Sequence, residues 1–238
     1  MMKRLAAASL LLAAFAAAAR AEGYDDFVTV TRRSLKPFAA DIGGLLGAAS
    51  NHTARSLGFS GFDMGFRSAI QLRPSSGNDI LPARKAFGFN YFQAEIGMPY
   101  RIDGFVRAGG DDGLVVTSAG LRYGLRAISD QPYYMHAMLE AMGSLAAHKY
   151  FYAKHFGANL RLSMNLKFAA LYAGAGLDNT ALTVQTANDV SLVDETASVS
   201  EPRYFAGLKK KIRYGYLSAG WAETHGRNLL EGALGLRF

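Results

Sequence analysis

His136, Glu140 and Ser144 stand four residues apart in YYMHAMLEAMGSLA. An imidazole, a carboxylate and a hydroxyl are the parts of a nucleophilic triad. On a strand the three share one face, yet four extended residues span about 13 Å. Hydrogen-bond reach is roughly 3 Å, so each could act only with partners on neighbouring strands, and polar lining of an interior is the simpler reading. His155 and Arg161 read the same way. His148 and His155 do not have a zinc-ligand spacing. Gly174-Ala175-Gly176 lacks the rest of a dinucleotide fingerprint, and Asp111-Asp112 after two glycines reads as a hairpin turn before an ion loop. No catalytic residue, cofactor or metal ligand is assigned.

The elements that position these residues alternate with period 2. In GFDMGFRSAIQL, Phe62, Met64, Phe66, Ile70 and Leu72 share one face, opposite Asp63, Arg67 and Gln71. The pattern recurs around Glu95, around Arg122 and Arg126, around His136 and Glu140, and around Arg161. It predicts ten strands, at 59–72, 87–98, 101–108, 114–128, 132–146, 149–162, 167–177, 204–209, 212–222 and 227–238. Long connections, 73–86 and 178–203, then fall at one end of the sheet, and the links at the other end are tight.

Residues 1–21 have a basic start at Lys3 and Arg4, an apolar run from Leu5 to Ala19 and the small-x-small triplet Ala19-Arg20-Ala21, the form of a cleaved secretory signal. Its removal takes three cations and no acid, lowering the formal charge from +7 to +4, too mild for a nucleic-acid surface. The chain has no Cys, so disulfides play no part. After the signal no apolar run reaches the ~18 residues of a spanning helix. Residues 22–58 precede the strands; Leu35, Phe38, Ile42, Leu45 and Leu46 have helical spacing there, which Gly43 and Gly44 weaken. The segment reads as a short helix or irregular periplasmic plug.

The final strand ends on a bare aromatic, EGALGLRF, with Leu230, Leu234, Leu236 and Phe238 on one face. With the signal and the even strand number, this resembles Gram-negative outer-membrane β-barrel proteins over residues 59–238. The resemblance implies a closed antiparallel up-and-down transmembrane β-barrel with lipid outside, both strand termini in the periplasm and the long loops at the cell surface. It also implies that Leu230, Leu234, Leu236 and Phe238 are read by the barrel-assembly machinery. Asp63, Arg67, Glu95, Arg122, Arg126, His136, Glu140, Arg161, Arg213 and Arg237 are then expected to line the lumen. Ten strands lie near the size at which side chains fill the interior. The expectation is a narrow pore for a small solute or a closed structural or surface-interaction barrel. Two alternatives stay open: a membrane-embedded hydrolase or acyltransferase, which needs His and acid groups within about 4 Å at the outer end, and a soluble lipocalin-like periplasmic carrier.

Overall fold

The computed structural model describes residues 23–213 and 215–238, so the signal at 1–21 lies outside the described residues. Ten strands follow one another around a cylinder: β1 (Phe62–Gln71), β2 (Phe87–Gly97), β3 (Ile102–Asp111), β4 (Leu114–Gly124), β5 (Met135–Ala147), β6 (Phe151–Asn165), β7 (Ala170–Val184), β8 (Thr196–Ile212), β9 (Gly215–Thr224) and β10 (Arg227–Arg237). Each pairs antiparallel with its sequence neighbours, and β1 closes on β10 with Phe66 opposite Leu234. Closure removes every sheet edge, so the ladder satisfies the wall's backbone groups internally, as a lipid-facing wall requires. Phe238 extends the seam by exchanging two backbone hydrogen bonds with Phe62, at 2.8 and 3.1 Å.

The alternation sorts the wall as its residue types dictate. Phe66, Leu121 and Leu160 are 59%, 58% and 46% exposed on the outside, whereas Arg122 and Arg161, their sequence neighbours, are 2% and 0% exposed inside. The stripe Leu230, Leu234, Leu236 and Phe238 also faces outward. The upper rim carries the connections 72–86, 112–113, 148–150, 185–195 and 225–226; the lower rim carries Phe62, the C-terminus and the connections 98–101, 125–134 and 166–169. The lower links are less uniformly tight than the sequence predicts, because β4 stops at Gly124 and β5 starts at Met135.

The largest difference is the β7–β8 hairpin. A loop over 178–203 is expected, yet the strands run on and leave only 185–195. Here the pattern inverts: Leu182 and Ala197 are buried inside, while Asn179, Ser198 and Ser200 are exposed outside. A hairpin above the apolar band needs a wet exterior and can give its apolar residues to a core.

That core occupies the upper bore. It gathers Phe87, Phe89, Leu114, Val116, Phe151 and Leu229 from the wall around Phe27, Phe38, Ile42 and Leu45 of the N-terminal segment. Rings of Phe27, Phe38 and Phe151 pack with centroids 4.7 to 5.2 Å apart. The segment comprises a 3-10 turn, Tyr24–Thr29, then helix α1 (Arg32–Gly47), then irregular chain with turns at 48–49 and 59–60 down to residue 61. It enters at the upper rim, where Asn188 donates to the Val28 carbonyl at 2.7 Å, and leaves at the lower rim, where Ser60 donates to Gly97 at 3.1 Å. It therefore runs the length of the bore.

Candidate functional site

The feature to account for is this filled bore. Helix α1 starts at Thr31, whose hydroxyl accepts from the Ser34 amide while the Ser34 hydroxyl accepts from the Thr31 amide, a reciprocal capping box. Gly43, Gly44 and Gly47 disfavour a helix by about 1 kcal/mol each relative to Ala, and contact explains their presence. A Cβ on Gly43 would run into the Thr180 side chain, one on Gly44 would meet His225 at 2.7 Å, and one on Gly47 would meet Arg203 at 2.6 Å. The glycines let the helix lie flush against the wall. The crevice lined by Ala40, Gly43, Gly44, Asp178 and Thr180 leaves no space for a water molecule.

A helix ends with four carbonyls that lack intrahelical partners and with partial negative charge. Wall side chains meet both needs. Arg203 donates to the Gly44 carbonyl at 2.7 Å, Tyr91 to Leu45 at 3.0 Å, and Arg107 to Leu46 and, at 2.6 Å, to Ala48. Below the helix, Arg122 donates to the Ser50 carbonyl at 2.9 Å and Arg237 to Ser56 at 3.0 Å. Donors of the segment find wall acids: Ser50 donates to Glu140 at 2.8 Å, and Ser56 and Leu57 to Asp103 at 2.8 and 3.1 Å. Irregular backbone is tolerated at membrane depth when protein satisfies it in this way.

At the upper mouth Asp41 on α1 accepts from Gln71 at 2.6 Å, from the Ser75 amide and hydroxyl, from Asn78 at 2.6 Å and from His225 at 3.1 Å. Burial pushes its carboxyl up, but the hydrogen bonds from His225, Ser75 and Asn78 outweigh burial and hold it below the usual carboxylate range.

Six of the expected lumen residues form one chain of alternating sign around the bore. Arg67 lies 3.3 Å from both Asp63 and Glu95; Glu95 contacts Arg122; Arg122 reaches Glu140 at 2.7 Å, and Arg161 reaches the same carboxylate at 2.5 Å. Three acids and three guanidiniums compensate one another. His136 is also inside, near the Ser129 carbonyl at 3.0 Å, and Arg237 is half-buried. Arg126 and Arg213 correct the expectation: both are exposed beyond the strand ends at the lower rim and do not line the bore. Alternation misplaces them because the strands stop before their parity has effect. Asp103, Arg107, Asp178 and Arg203 are also buried inside, beyond the residues expected there. Arg107 at inward parity in FVRAGG and Arg203 in the hairpin were the signals available.

The tempting trio does not assemble. Glu140 pairs with arginines, His136 sits near Ser129, and Ser144 lies 3.5 Å from the Leu46 carbonyl. A different set does meet the distance required of an enzyme: His155 Nδ1 lies 2.9 Å from Thr180 Oγ1, and its Nε2 lies 3.6 Å from Asp178. That order is nucleophile, base and acid, but the set is sealed. Thr180 faces Gly43, and Asp178 is held by Arg203 at 2.6 Å. His52, Asp63 and Glu95 place ligand atoms within 4.8 Å of one another. Arg67 pairs with both of those acids and Arg122 with Glu95, so the carboxylates are already compensated by guanidiniums.

No protein-family model and no curated protein matches the chain. Solved structures similar to it include Neisserial surface protein A, at 12% identity and TM-score 0.32 over 74% of this chain and 95% of that one. Another is Ail, the attachment invasion locus protein of Yersinia pestis, at 12% identity and TM-score 0.26 over 76% of this chain and 99% of that one. At such similarity the barrel assignment rests on this chain's own closed ladder and its inside-out polarity.

Proposed function

We propose that this chain is an exported integral outer-membrane β-barrel, held closed by its own N-terminal segment, which serves as a structural or surface-presenting barrel and not as a pore or an enzyme. The carrying observation is the segment running from rim to rim, with wall arginines donating to carbonyls along its length. The apolar exterior supports the membrane location and argues against a soluble carrier, whose outer face would be wet. In this reading the lower rim faces the periplasm and the terminal stripe Leu230, Leu234, Leu236 and Phe238 is offered to the barrel-assembly machinery. The upper rim then presents the loops 72–86 and 185–195, with the start of the mature chain, at the cell surface.

The test is single-channel recording after the full-length mature chain is reconstituted into planar bilayers. A closed barrel gives no resolved conductance steps at neutral pH. Regular steps, carried by a small solute or salt, would favour the pore reading. The enzyme reading requires the His155–Thr180 pair to be uncovered; hydrolysis of short-chain acyl esters by the folded barrel, abolished by His155→Ala, would support it and overturn the proposal.

A further inference from the structure

The two rims differ in charge. At the upper rim exposed acids such as Asp25, Asp26, Asp79 and Asp194 balance cations such as Arg32, Arg33, Lys36 and Arg73. At the lower rim Arg101, Arg126, Lys167, Lys210, Lys211 and Arg213 gather in and beside the turns; among the described residues the one exposed acidic side chain there, Asp130, is paired with Arg55 at 2.9 Å, and the only other anion is the carboxylate of Phe238. The same rim carries an aromatic belt: Tyr100, Phe168 and Phe238 are 86%, 76% and 75% exposed, with Phe59 and Tyr133 beside them. Cations and rings are coupled. The Arg101 guanidinium lies 5.8 Å from the Tyr123 ring centroid, and that of Arg126 lies 4.7 Å from Tyr134.

Exposed Tyr and Phe rings at the edge of an apolar wall sit where hydrocarbon gives way to headgroups. Long cationic side chains next to them extend to the phosphate level while their stems stay in the apolar zone. With the Asp130 and Phe238 carboxylates counted, the rim keeps an excess of cations that repel one another in water, and an anionic lipid surface relieves that repulsion. We propose that the lower rim is a belt that selects anionic glycerophospholipids from the surrounding leaflet, with Arg101, Arg126, Lys167, Lys210 and Lys211 as the phosphate-binding groups. This rests on the barrel being membrane-embedded, and goes beyond it by naming the lipid class and the residues.

The full mature chain is folded in micelles with equal amounts of phosphatidylglycerol and phosphatidylcholine of identical acyl chains, and bound lipids are counted by native mass spectrometry. Each cation near an anionic surface favours it by roughly fivefold, so the wild type retains phosphatidylglycerol at least about fivefold over phosphatidylcholine. The variant R101Q/R126Q/K167Q/K210Q/K211Q loses most of that preference. The control R33Q/K36Q/R73Q/R84Q, at the upper rim, keeps it. Resistance of the unboiled protein to unfolding in gel electrophoresis establishes that each variant is folded. A wild-type ratio near one, or equal loss in the control, overturns the belt and leaves the membrane reading intact. Failure of the wild type to insert into vesicles of either lipid overturns both.

Discussion

Glu140→Gln separates a dry, sealed bore from a hydrated one. Glu140 is the hub of the charge chain: its carboxylate takes the Arg122 Nε–H at 2.7 Å, lies 2.5 Å from Arg161, and accepts from Ser50 at 2.8 Å and Asn159 at 3.1 Å. Glutamine keeps the shape and removes the charge. Arg122 retains Glu95, but Arg161 is left with the Ser50 and Thr53 carbonyls at 3.4 Å. In a water-filled lumen the loss resembles that of a surface pair, about 0–1 kcal/mol. In a bore from which water is excluded, stranding one partner of a buried pair costs about 3–5 kcal/mol, a factor of roughly a hundred or more in the unfolding equilibrium. Urea unfolding from lipid vesicles at neutral pH measures it. Trp221, the single tryptophan, lies partly exposed on the outer face of β9 and reports the transition. Arg161→Met removes the stranded charge, so the double variant should recover roughly 2 kcal/mol of coupling. A single-variant loss below about 1 kcal/mol, or strictly additive variants, would refute the sealed-bore reasoning.

Gly43→Leu drives a side chain into Thr180, and overpacking of this kind costs about 1–3 kcal/mol; it should loosen α1 and bring conductance steps to an otherwise silent barrel. Asp41, whose carboxyl is held below its ordinary range, stabilises the fold above the unfolded carboxylate value of about 4, and that stabilisation is lost as pH falls through the folded value. Melting of the wild type should therefore drop more steeply below about pH 4 than that of Asp41→Asn. Deleting Phe238 removes two seam hydrogen bonds and the terminal aromatic; the level of folded barrel in cells should fall several-fold while refolding of the purified chain persists, and equal losses in both assays would point to stability alone.

The wall was legible because alternation and size fix which face can meet lipid. Phe62 to Arg67 and Leu230 to Arg237 follow period 2, breaking it only nearer the upper rim at Ser68-Ala69 and Asn228-Leu229, and both became strands within a few residues of expectation. Legibility fails where the environment on the two faces changes along one strand. Toward its tip, around Leu182 and Ala197, the upper hairpin inverts its polarity above the apolar band, so alternation no longer marks it. Helix α1 was only partly readable: its apolar spacing is present, but Gly43, Gly44 and Gly47 serve close approach to a wall the local sequence does not contain. The Thr31 cap starts the helix before the first residue of that apolar pattern, Leu35, and places Pro37 inside it. Arg107 and Arg203 as carbonyl donors follow from threading the segment through the bore, a long-range fact. The alternating charge chain was foreseeable in its members, all at inward parity, but not in its order, which depends on strand tilt and on register across the six strands β1 to β6.

The chain contains no cysteine, so single-cysteine labelling reads its topology directly. Asp25 is exposed at the upper rim and Lys210 at the lower. A membrane-impermeant maleimide applied to intact cells should modify Asp25→Cys and spare Lys210→Cys until the outer membrane is permeabilised. Protection of Asp25→Cys in intact cells, with labelling only after permeabilisation, would contradict an N-terminal segment that traverses the bore to the cell surface.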